Sequence, residues 1–108
     1  MANQRNLAID QGTTFSANIS VLDSNGDARD LTDYTSEAQF RKYYESNTYV
    51  SFTTEVSNGN INIALTANQT ANITSGRYVY DVDLSSNTGT VERIVEGILT
   101  IRPMVTRI

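Results

Sequence analysis

The chain has 108 residues, a formal charge of −4, 39% hydrophobic residues and no Cys, His or Trp. That length makes one small domain with one core, and the acidic balance argues against nucleic acid as a partner, since binding its phosphates needs clustered Lys and Arg. The commonest general base and metal ligand is missing with His, and thiol chemistry and disulfides are missing with Cys.

The opening MANQRNLAID holds no apolar run of signal-peptide length, and no segment of the chain approaches the ~18 apolar residues of a membrane span. The expectation is a single soluble domain over residues 1–108, made in the cytoplasm, with no membrane partner. In TTFSANISVL, residues 13–22, Phe15, Ala17, Ile19 and Val21 alternate with Thr14, Ser16, Asn18 and Ser20. This is the period of a strand with one wet face. DSNGD follows at 23–27, where Asn25-Gly26 suits a tight hairpin turn, and a short return strand is expected at 28–31.

SEAQFRK (36–42) turns Ala38 and Phe40 inward, and YVSFTTEV (49–56) repeats the pattern as one strand with Val50, Phe52 and Val56. Residues 43–47 read as the loop between them. A second Asn-Gly, at 58 and 59, turns the chain into NINIAL with Ile61, Ile63 and Leu65 buried. Thr66 with Gln69 is the spacing of a capping box, so one helical turn is expected near residues 66–74, closed by Gly76 in a left-handed conformation.

ITSGRYVYDVDL (73–84) puts Tyr78, Tyr80, Val82 and Leu84 on one face. The position of Tyr78 at the start of the strand is that of a tyrosine corner, whose hydroxyl returns to the preceding backbone. Hairpin signals at this spacing describe an all-β, immunoglobulin-like antiparallel sandwich of about seven strands. Phe15, Phe40, Phe52 and Tyr80 must then fill the space that Cys and Trp occupy in antibody domains.

In TVERIVEGILTIRP (90–103) Val95, Leu99 and Ile101 suit the core, leaving Ile94 and Ile98 on the other face beside Glu92 and Glu96. Two readings stand. A bulge at Gly97 shifts the register and returns some of these residues to the inside, or the apolar strip is covered by another protein.

Little in the chain carries chemistry, and no catalytic residue, cofactor or metal is expected. Asp81 and Asp83 share one strand face, as solvated charges do. DSNGDARD alternates Asp23, Asn25 and Asp27 like half a calcium loop, but its Gly and the missing final Glu break that signature, so an Asx-rich turn is expected. The Asn-x-Ser/Thr triplets at Asn18, Asn68 and Asn72 have no secretory context. Arg41 and Lys42 followed by Tyr43 and Tyr44 form the one basic-aromatic cluster, either a contact surface or an Arg stem resting on a neighbouring Tyr.

Taken together, DQGTTFSANISVLDSNGDARDLTDYTSEAQFRK, Leu65-Thr66 before the Asn-Gln-Thr-Ala turn, SGRYVYDVDL and VEGILTIRPMVTR resemble a known family over residues 9–107. The chain is similar to small immunoglobulin-like virion proteins of tailed bacteriophages, especially T4-like phages of marine cyanobacteria, and more distantly to the N-terminal sandwich of phage baseplate upper proteins. The resemblance implies a non-enzymatic accessory virion protein, assembled in the host cytoplasm, that adheres to capsid, neck or baseplate in several copies. Its partners would be other virion proteins or further copies of itself. The expected contact residues are Ile94, Ile98, Met104, Val105 and Ile108 on the last strand and tail, with Arg41, Tyr43 and Tyr44 on the loop. Glu at Ile94 and Ile98 is expected to abolish assembly and spare the fold. The alternative is a receptor-binding module gripping a host glycan or protein with loops 43–47 and 85–89, using Tyr43, Tyr44 and Tyr49.

Overall fold

The computed structural model describes residues 3–106; Met1, Ala2, Arg107 and Ile108 lie outside the described residues. The elements in order are β1 (Asn3–Gln4), β2 (Leu7–Asp10), β3 (Phe15–Ser20), β4 (Thr35–Arg41), β5 (Val50–Ser51), β6 (Thr53–Ser57), β7 (Asn60–Leu65), α1 (Ala67–Ala71), β8 (Gly76–Ser85) and β9 (Val91–Arg102). With β1 and β2 counted as one interrupted edge strand and the two-residue β5 set aside, seven principal strands remain.

Strands β3, β7 and β6 form one antiparallel sheet, and β1-β9-β8-β4-β5, with β2 also on β9, forms the other. Consecutive strands are divided between the sheets, as in an immunoglobulin-like sandwich. Alternation explains the core. Ile19 and Val21 from β3 and the segment after it, Ile61, Ile63 and Leu65 from β7, Tyr80, Val82 and Leu84 from β8, and Val95, Leu99 and Ile101 from β9 are all buried. Phe52 occupies the centre, with ring centroids 5.2 Å from Phe40, 6.0 Å from Phe15 and 6.4 Å from Tyr80. These rings take the place of a disulfide and Trp.

The corner before β8 follows its sequence signals. Thr66 accepts from the Gln69 backbone N–H and Gln69 accepts from the Thr66 N–H, closing the capping box on α1. The buried Thr70 hydroxyl donates to Thr13 O at 2.7 Å, pinning α1 to the chain entering β3. The Tyr78 hydroxyl donates to Thr74 O at 2.6 Å, which is the tyrosine corner.

Several local expectations are corrected by long-range pairing. The return strand at 28–31 reduces to one bridge, Leu22 with Ala28, because the chain must then cross to the other sheet; Leu31 plugs the end of the core on the way. YVSFTTEV is not one strand. β5 pairs with β4 and β6 with β7, so Phe52 sits where the chain changes sheets. Asn72 caps α1, while Gly76 opens β8 at φ 139°.

The register shift in the last hairpin lies at Ile94 rather than Gly97. Val82 faces Val95 and Asp83 faces Arg93, so Ile94 is the extra residue. Gly97 has another role. A Cβ there would fall 2.2 Å from Arg5 O, and only a bare Cα lets the first strand cross. Tyr80, directly opposite Gly97, donates its hydroxyl to that same Arg5 carbonyl. Asn6 bridges the gap between β1 and β2 by accepting from the Ile98 N–H at 3.1 Å. This first strand, whose partner nothing in residues 3–10 reveals, runs parallel to β9 and covers its outer edge from Val95 to Arg102. Strand addition by a partner is therefore blocked along that stretch of β9.

Candidate functional site

The most distinctive surface lies where β4 ends, β5 begins and β8 starts. Alternation along β4 sends Phe40 into the core and Arg41 outward, and the chain then turns through residues 42–49. Hydrogen bonds internal to the loop hold its shape. Ser46 N–H donates to Tyr43 O at 3.0 Å, the Thr48 N–H donates to Ser46 Oγ at 3.3 Å, and Arg41 Nη1 donates to Ser46 O at 2.6 Å. With its backbone so used, the loop presents its rings outward: Tyr43 is 60%, Tyr44 73% and Tyr49 53% exposed.

Two cations rest on aromatic faces here. The Arg41 guanidinium carbon is 4.8 Å from the Tyr49 ring centroid, and Lys42 Nζ is 5.0 Å from that of Tyr78. Gly76 makes room for the second contact, since a Cβ on it would stand 2.7 Å from Lys42 Nζ. Between these groups runs an open groove of about 370 Å³ with Phe40, Val50 and Ile73 among its lining. The ion pairs among the described residues engage only Arg29, Arg93 and Arg102. Among the described residues Arg41 and Lys42 thus have no carboxylate partner, on a chain of net charge −4.

The outer face of the larger sheet adjoins this end. Arg41 lies across from Val79, and Val79 across from Ile98, so the three form a row across the sheet, with Tyr44 beside Arg41 and Val79. Further along, Asp81, Asp83 and Glu96 surround Arg93, whose nitrogens approach Asp81 at 3.3 Å, Glu96 at 3.3 Å and Asp83 at 3.9 Å. Asp83 Oδ1 is shielded from solvent and has no hydrogen-bond partner. Burial, reinforced by the Asp81 charge, raises its pKa; Arg93 only partly opposes the shift. A carboxyl whose pKa is raised on folding contributes most below its unfolded value, and the contribution is lost as pH rises through the folded value. Asp83→Asn is expected to raise stability at pH 7 modestly, by less than about 1 kcal/mol after solvent screening of this partly exposed group, with the difference shrinking as pH falls toward the ordinary carboxylate range. Urea unfolding across that pH range measures this, and an Asn variant less stable than the parent at pH 7 contradicts it.

Among the described residues no group of three or more acidic side chains is placed to hold a metal. The calcium-like stretch is an Asx turn: Asp23 Oδ1 accepts from the N–H groups of Asn25 at 2.9 Å and Asp27 at 3.0 Å.

The expected contact residues divide. Arg41, Tyr43 and Tyr44 stand at the groove end, and Ile98, 39% exposed, joins Arg41 and Tyr44 on the outer face. Ile94 is half-buried against the core, so a Glu there would disturb the fold and does not test assembly. Met104 is folded back, its N–H donating to Gln11 Oε1 at 3.1 Å and its sulfur lying against Gly12. Val105 is 97% exposed, and Ile108 lies outside the described residues. The loops 43–47 and 85–89 fall at opposite ends of the sandwich, because Arg41 pairs with Val79 and Thr35 with Ser85; they do not make one grip. Residue reading missed Tyr78 and Ile73 as part of the groove. No local signal marks them, since only the β4–β8 pairing and the helical corner bring them beside Lys42.

No family model matches the chain. No curated protein matches it. Solved structures that match include an internalin-like protein of Listeria monocytogenes, at 16% identity and a TM-score of 0.49, over 94% of this chain and 28% of that one. The chain thus spans little more than a quarter of the length of the protein it is similar to.

Proposed function

We propose that the chain is a non-enzymatic docking module, an accessory structural protein of a tailed bacteriophage particle that adheres to capsid, neck or baseplate. The particle comes from the sequence resemblance. The observation that carries the docking role is the cluster of exposed Tyr43, Tyr44 and Tyr49 beside Arg41 and Lys42, two cations with no carboxylate partner among the described residues. Exposed tyrosines and arginines are the side chains that most often dominate binding energy at interfaces. The docking surface moves accordingly from the last strand, whose outer edge is largely covered, to the groove end, with Ile98 at its margin.

The same three tyrosines favour a second reading, a receptor-binding module that holds a host glycan or protein at this one end. Immunogold electron microscopy of intact particles, with an antibody against the purified chain, tests the first reading. Label over heads means a decoration protein and label at one end of the tail means a baseplate or adhesion part; unlabelled particles overturn the virion reading. Binding to a glycan array by the purified domain, lost in Tyr44→Ala, would favour the second.

A further inference from the structure

Charge in this domain is sorted by end. Strand β4 runs from Thr35 at one end of the sandwich to Arg41 at the other, and its antiparallel pairing with β8 fixes both ends. The loop entering β4 carries Asp23, Asp27, Asp30 and Asp33 against the single cation Arg29, and Arg29 is already engaged by Glu92 at 2.8 Å. The far end carries Arg41, Lys42 and Arg77, none in an ion pair among the described residues. Among the described residues its carboxylates are Glu45 and Asp10, and Asp10 is taken by Arg102 at 2.6 Å. The acidic loop is also shaped. Its two Asx turns, at Asp23 and Asp30, fix the backbone, and Asp33 holds the positive φ of 66° that swings the chain into β4.

We propose that the groove end of one copy receives the acidic loop of a second copy, head to tail. Both complementary surfaces belong to this chain. The exposed Leu22 beside the acidic loop offers an apolar side chain to the groove floor of Val50 and Ile73. Because the two surfaces differ, the contact is heterologous, so copies continue into a ring or a filament and do not stop at a twofold dimer. Its strength is bounded by size. The domain measures 45 × 28 × 21 Å, and β9 runs along its length. An end-to-end contact therefore buries on the order of 1,000 Å² in total, at the low end for specific interfaces. Contacts of that size assemble at high local concentration and dissociate on dilution.

This inference rests on the docking reading of the groove end but not on the particle; solution association tests the one and particle labelling the other. The experiment is sedimentation velocity of the purified full chain over a concentration series. At about 50 mM salt the sedimentation coefficient is expected to climb with concentration, and the apparent association constant to fall at least about tenfold by about 500 mM salt. Two variants each change one end: Lys42→Glu with Arg77→Glu makes the groove end acidic, and Ser24→Lys with Asp27→Lys, which spares the Asp23 and Asp30 turns, cancels the charge of the acidic loop. Each alone is expected to sediment as a monomer with an unchanged circular dichroism spectrum. An equimolar mixture of the two variants, one keeping the acidic loop and the other the cationic groove, is expected to associate again. A wild-type chain that stays monomeric throughout the series overturns the proposal, as does association that ignores salt and persists in both variants. Monomeric wild type that binds heparin or polyglutamate through Lys42 and Arg77 also overturns it, by assigning the groove to a foreign polyanion.

Discussion

Phe40→Ala is expected to cost about 3–5 kcal/mol, the largest effect of any single truncation in this chain. Phe40 is buried on β4 with its ring centroid 5.2 Å from Phe52 and 5.3 Å from Tyr78, which it meets edge to face. Removing it takes the transfer energy of a large side chain and leaves a cavity that Phe52, held at the sheet crossing by its N–H to Ala38 O at 2.9 Å, is poorly placed to fill. A domain of this size has about 5–15 kcal/mol in all, so the variant should be largely unfolded well below the parent's melting temperature. Guanidinium unfolding measures it, and a loss under about 1 kcal/mol would mean that the aromatic cluster collapses freely around the gap. Because Phe40 also floors the groove, its truncation is no test of docking; Tyr44→Ala, at an exposed position, is the cleaner variant.

Gly97→Ala is expected to cost about 3 kcal/mol through a different route. The added methyl would sit 2.2 Å from Arg5 O and 2.8 Å from Arg5 C, both backbone atoms that no rotamer change can move aside. Relief requires β1 and β2 to lift from β9. That would forfeit the Tyr80 hydroxyl bond to Arg5 O, leaving a polar group inside the sandwich, and would loosen Ile9, which is buried in the core. Amide hydrogen exchange should show protection lost at residues 7–10 while β4 and β8 keep theirs. Wild-type stability with full protection there would mean that the first strand passes Gly97 with more room than the structure gives it. The lifted strand would also bare the outer edge of β9, so the variant is expected to aggregate more readily.

What residue order revealed was whatever depends on near neighbours. Period-two alternation names the buried set of β3, β7 and β8 because a pleated strand sends every second side chain to one face. Thr66 with Gln69 named a helical turn because both partners of a capping box lie within four residues. Tyr78 named a corner for the same reason, its acceptor Thr74 being four residues back. The strand alternation, the Asn-Gly turns and the capping box together sufficed for the sandwich.

Sequence distance is what defeated the rest. Leu7 and Ile9 alternate as a strand does, yet their partners are Leu99 and Ile101, and nothing local states a parallel pairing across most of the chain. A bulge is one of two readings open at Gly97, because glycine in a strand marks either a bulge or a close backbone approach, and only the Arg5 backbone passing over it decides. Counting from Val95 puts Ile94 outward unless a bulge intervenes, and the extra residue in the β8–β9 register, at Ile94 itself, turns it toward the core.

The same division governs function. The chain by itself determined an acidic, one-core, all-β domain with a basic-aromatic tetrad at Arg41 to Tyr44, because composition and period need no partner. Only the tertiary structure decided that Lys42 rests on Tyr78 over Gly76, that Arg41 and Lys42 have no carboxylate partner among the described residues, and that the aspartate-rich loop and the cationic groove face opposite ways. Charges along a chain have no geometry until strands pair, and it is the antiparallel register of β4 with β8 that sorts them to two ends.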